Sequence, residues 1–115
     1  MIAVATPSIS HATSSGWLHP TEMERFSKQM SGKKMMPVKI ACRGDSSKSS
    51  VRDSMELNLT FAPNPANLRW RWVWGSTYSS TKFQLEKAGW KAVSTSGFTR
   101  PTTGLRVPCG IFHRK

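Results

Sequence analysis

Leu68-Arg69-Trp70-Arg71-Trp72-Val73-Trp74 alternates strictly. In an extended chain Leu68, Trp70, Trp72 and Trp74 share one side, and Arg69, Arg71 and Val73 share the other. Period two, with aromatic and β-branched residues, predicts a strand with an aromatic face and a face that opens on two arginines. Gly75-Ser76 breaks the run. The same alternation recurs on both sides of it. Residues 35–42 put Met36, Val38, Ile40 and Cys42 on one face, and residues 55–61 do the same with Met55, Leu57, Leu59 and Phe61. Residues 90–94 resume as a strand. Residues 105–112 alternate again through Leu105, Val107, Cys109 and Ile111, and Pro108, which lacks an N–H, predicts an edge strand or an interrupted one.

Two helical signals lie between these runs. Pro20, then Thr21 and Glu24 at capping-box spacing, predict a helix over 20–31 with Met23, Phe26 and Met30 as its apolar stripe and Gly32 as its stop. Thr81 and Gln84 repeat the spacing at the head of a helix over 80–88. Gly89 in a left-handed conformation would let Trp90 fold back on Leu85. Segments 43–50, 62–67 and 95–104 are rich in Ser, Thr, Asn, Gly or Pro and read as loops. Residues 1–18 read as an extended arm dotted with Ile2, Val4, Ile9, Trp17 and Leu18, and residues 19–115 as one small domain. With strands outnumbering helices, the fold class expected is α+β: a mainly antiparallel small sheet, or a partly open barrel, with two short helices and the N-terminal arm.

The chain has 115 residues, enough for one modest core, and only 37% are hydrophobic. Seventeen Lys and Arg stand against six Asp and Glu, a net charge of +11. Such a surplus repels itself in a compact fold unless an acidic partner offsets it. The basic residues are spread rather than bunched. Lys33, Lys34, Arg43, Lys48, Arg52, Arg69, Arg71, Arg114 and Lys115 are the candidates for contact with nucleic acid or an acidic surface, through phosphates rather than base edges. Trp70, Trp72 and Trp74 carry two readings. Exposed, they would stack on bases. Buried, they supply area that a core short of aliphatic residues needs, which is the reading favoured here. Ile2, Ile9, Trp17 and Leu18 are the candidate anchors of the arm on neighbouring subunits.

Catalysis finds no support. His11, His19 and His113 fall in the arm, at a helix entrance and in the tail, where a general base would lack a rigid orienting partner. The six acids form no evident pair. There is no phosphate-binding glycine loop, nucleophile–histidine set or metal-ligand spacing. No enzyme activity, cofactor or metal is expected. Cys42 and Cys109 match no metal or redox spacing and read as reduced core thiols, although a bridge between them is open. The start lacks the pattern of a signal peptide, and no apolar run has the length of a membrane span. A virion or host-cytoplasm location is therefore expected, with no membrane partner and no small-molecule substrate.

Trp70-Arg71-Trp72-Val73-Trp74, followed by Phe83-Gln84-Leu85-Glu86-Lys87-Ala88-Gly89-Trp90-Lys91-Ala92-Val93, resembles a segment of small virion-associated proteins of tailed phages. In those, a strand with Arg-Trp-Val precedes a short helix ending in Leu-x-x-x-Gly-(Trp or Tyr)-x-x-Val. The resemblance covers about a fifth of the chain. It implies a capsid-associated role and supplies no catalytic residues.

The function expected is thus a non-enzymatic basic structural subunit of a phage-like viral particle, assembling with other protein subunits and touching packaged DNA or RNA. A soluble nucleic-acid-binding module using the Trp and Arg of one strand is the main alternative. A basic inhibitor of a host enzyme is a further one.

Overall fold

A computed structural model of the chain describes residues 12–44, 55–100 and 103–115. The elements run β1 (Thr13–Ser14), α1 (Pro20–Gly32), β2 (Met35–Gly44), β3 (Met55–Pro63), β4 (Arg69–Trp74), α2 (Tyr78–Lys87), β5 (Lys91–Thr99) and β6 (Arg106–Arg114). They form two antiparallel three-stranded sheets, ordered β1-β3-β2 and β4-β6-β5. The fold is α+β and mainly antiparallel, as expected. The sheets do not close into a barrel. Neither helix is long and apolar enough to cross a membrane.

The main core lies between the sheets. Met55, Leu57, Leu59 and Phe61 of β3 are all fully buried, as their alternation predicts. Val107, Cys109 and Ile111 of β6 meet them from the second sheet, and Met23 and Met30 of α1 close one side. A smaller cluster on the other face of the second sheet joins Tyr78, Leu85 and Phe112, with Val73 and Trp90 packed against it.

Several expectations are corrected. The run in β2 changes phase: a bulge between Pro37 and Lys39 leaves Pro37, Ile40 and Cys42 buried and Met36 and Val38 only half-buried. One extra residue in a period-two strand moves every following side chain to the other face. β5 continues through 95–99, which composition assigns to a loop, because it pairs with β6 as far as Thr99 opposite Arg106. Thr and Ser suit a strand whose outer face is wet.

β6 is central, not an edge. Pro108 is accommodated because its carbonyl accepts from the Gly75 amide (3.0 Å), so its missing N–H also points toward β4, just past the last β4 pair. The Cys42 and Cys109 sulfurs are bonded across the sheets, with Cα atoms 6.6 Å apart, so the reading as reduced thiols does not hold.

α1 starts at Pro20, as expected, and α2 starts two residues earlier than expected, at Tyr78. His19 caps α1, its amide donating to Glu22 Oε1 (3.3 Å), and Thr21 lies inside the helix. Thr77 precedes α2, and burial of Tyr78 against Phe112 draws the start forward from Thr81. The end of α2 is as read: Gly89 has φ +92 and the Trp90 amide donates to Leu85 O (2.9 Å). Of the expected arm, residues 12–18 lie on the first sheet. Thr13 pairs with Phe61 and Ser14 with Thr60, and Leu18 exchanges two backbone hydrogen bonds with Leu57.

Candidate docking surface on the second sheet

β4 runs along the margin of its sheet, with β6 on one side and, among the described residues, no strand on the other. An open groove of about 570 Å³ follows that free margin. Glu24, Ser27 and Lys28 of α1 form one wall, Thr77 and Thr81 at the head of α2 stand at one end, and residues 70–74 of β4 run along it. A second hollow of about 430 Å³ extends it past Ser31 to Leu68 and Arg69.

The three tryptophans turn inward from β4 and are half-buried against the main core. Trp70 meets Phe61 edge-to-face at 6.0 Å, and Trp72 Nε1 donates to Ser27 Oγ (2.9 Å). Their ring faces are therefore spent on packing and on orientation by α1, and they do not form a flat exposed row. An indole N–H that is partly buried needs such a partner, and the buried Ser27 supplies it.

Arg69 and Arg71 are exposed on the opposite face. Register puts Arg69 directly opposite Arg114 of β6. Lys115 follows, and a hollow of about 640 Å³ beside them is lined by Lys91, His113, Arg114 and Lys115. Ion pairs join Arg43 to Glu56 (3.0 Å), Lys82 to Glu86 (3.6 Å) and His19 to Glu22 (3.3 Å), and none among the described residues includes Arg69, Arg71 or Arg114. Like charges directly across a ladder destabilise it. Arg69, Arg71, Arg114 and Lys115, none of them in an ion pair among the described residues, thus make a positive surface at one end of the second sheet that an anion would relieve.

The other candidates are dispersed. Lys33 and Lys34 are exposed at the end of α1, where their amides close the last turn on Met30 O and Ser31 O (3.0 Å each). Arg43 is engaged twice: it pairs with Glu56 and lies 4.1 Å over the Trp17 ring. Trp17 and Leu18 thereby contact their own domain, Leu18 against the main core. Ile2, Ile9, Lys48 and Arg52 lie outside the described residues.

His113 is a tail residue by sequence, but it lies within β6. Its Nε2–H donates to Pro37 O (2.7 Å), tying the end of β6 to the β2 bulge. Ser94 Oγ similarly accepts from the Ile40 amide (3.0 Å), joining β5 to β2. Neither link was legible, because both partners are more than fifty positions away in the sequence. Tyr78 sits against Gly110, where a Cβ would come within 2.6 Å of its hydroxyl oxygen. Burial, helped by the nearby Glu86 carboxylate, pushes the Tyr78 phenol above its ordinary value.

Among the described residues no three His, Cys, Asp or Glu side chains gather as a metal site. The chain matches no family model, no curated protein and no solved structure.

Proposed function

We propose that the protein is a non-catalytic, basic assembly subunit that docks the cationic end of its second sheet on an acidic neighbour. The setting is a phage-like particle, where that neighbour is another protein subunit or packaged nucleic acid. The observation that carries the reading is Arg69 standing across from Arg114, with Arg71 and Lys115 beside them and, among the described residues, no ion pair on any of them. Folding alone gains nothing from that arrangement. Binding does, because a polyanion turns mutual repulsion into attraction and releases counterions. The virion setting rests on the resemblance around 70–93. The cross-sheet disulfide favours a particle over a reducing cytoplasm, since such bonds persist at virion surfaces.

A base-stacking module is the weaker reading, because the tryptophan rings pack on Phe61 and α1. The test is fluorescence anisotropy with labelled polyglutamate and labelled oligo(dT), at low and high salt. The protein is expected to bind both polyanions, with affinity falling steeply as salt rises. Arg69→Gln with Arg114→Gln should weaken binding by roughly tenfold or more. Unchanged affinity in that variant overturns the proposed face. Strong quenching of tryptophan emission by oligo(dT) alone would favour the stacking module instead.

A further inference from the structure

The sheets have four edges, and three are blunted. β1 is two residues long. β2 carries Pro37 and a bulge. β5 carries a bulge between Ala92 and Ser94, and Ser94 Oγ ties it to β2. These are the usual defences against unwanted strand pairing. β4 has none of them except its arginines. It holds regular register through six consecutive pairs with β6, from Arg69 to Trp74.

Register also says which amides are unused. Gly75 donates to Pro108 O in the pairing that continues this ladder, so Arg69, Arg71 and Val73 turn their backbone groups toward β6. Trp70, Trp72 and Trp74 turn theirs away, into the groove. Among the described residues nothing hydrogen-bonds those three amides. One position earlier, the outward backbone of Leu68 is already satisfied. Asn64 Nδ2 donates to Leu68 O and the Leu68 amide donates to Asn64 Oδ1, both at 2.9 Å. Asn64 thus does for Leu68 what a neighbouring strand would do, and marks where an added strand would begin.

We infer that the free edge of β4 accepts an extended, acidic polypeptide segment as an added strand. This rests on the acidic-partner reading above and commits it to one partner class and one geometry. A peptide backbone supplies the alternating donors and acceptors that Trp70, Trp72 and Trp74 present, which a phosphodiester chain does not. The charge of the rim selects the sequence. Lys28, Arg69 and Arg71 outweigh Glu24 along the groove. They put like charge on the β4 edge of a second copy, which disfavours its approach, and attract glutamate or aspartate.

The experiment is amide hydrogen exchange on the full chain, with and without a peptide of about eight residues alternating Glu and Val. The control is the same peptide N-methylated at every amide, which keeps the charge and has no backbone N–H to donate to the ladder. The expected result is roughly tenfold or greater slowing of exchange at Trp70, Trp72 and Trp74 with the unmodified peptide only, and little change at Arg69, Arg71 and Val73, already held by β6. Equal binding of both peptides without that protection overturns strand addition and leaves the acidic-partner reading standing. Binding of neither peptide nor oligo(dT) at low salt overturns both. Protection that appears on raising protein concentration without peptide also overturns the inference, because the edge then serves a second copy.

Discussion

Strands β3 and β4 carry the same alternation of large apolar and polar residues, yet they are buried to different depths. In β3 the inward residues, Met55 through Phe61, are fully buried. In β4 the inward residues are tryptophans, larger than any of these, and they stop half-way. β3 has β1 and β2 on its two flanks, whereas β4 has β6 on one flank and a groove on the other. Between these two strands, depth follows the neighbours on the flanks, not the size of the side chain. The strand that is packed on both sides holds the fold together, and the strand with an open side is available to a partner.

Truncation tests that contrast most directly. Phe61→Ala should cost about 3–5 kcal/mol, because it empties a fully buried site where Phe26 and Trp70 both meet the ring. Trp70→Ala, which removes a larger side chain, should cost clearly less. Guanidinium unfolding of both variants measures the difference, and equal losses would break the comparison.

A smaller effect is expected at the link between the sheets. Cys42 in β2 and Cys109 in β6 are 67 residues apart in sequence, so their bond shortens a long loop of the unfolded chain. Reduction, or Cys42→Ala with Cys109→Ala, should cost about 2–4 kcal/mol, read from thermal melts with and without reductant. A melt indifferent to reductant would mean that packing alone joins the two sheets.

The smallest effect concerns the outer face of the second sheet, where α2 covers Gly110 and Phe112. The Tyr78 phenol is held neutral by burial, so its folded-state value is raised above its unfolded one. Its contribution to stability is complete below the unfolded value of about 10 and is lost as pH rises from there through the raised folded value. Unfolding midpoints should therefore fall on the alkaline side, and Tyr78→Phe should flatten that part of the profile. An unchanged profile in the variant would detach α2 from the pH response.

The element types were legible wherever local pattern and tertiary role agree. Met55–Phe61 alternates and is buried on that alternation. Gly89 and Trp90 end α2 as their residue types require. The misreadings share one cause. Pro108 predicts an edge or interrupted strand and Thr95–Thr99 a loop, and both local signals were outweighed by a partner distant in sequence. The candidate site divides in the same way. Arg69 and Arg71 on one face of a strand follow from period two alone. That Arg114 lies opposite Arg69, that Ser27 holds the Trp72 indole, and that the outer amides of Trp70, Trp72 and Trp74 meet no strand all depend on register.

By itself, then, the order of residues determined the faces of β3 and β4, the places of the two helices and the surplus of positive charge. These depend on dihedral preference and side-chain period, which act over a few residues. Only the tertiary structure decided which strand became central and which marginal, that two cysteines met, and where the cations gathered. Those outcomes depend on contacts between segments dozens of residues apart, and no local period encodes which segments meet.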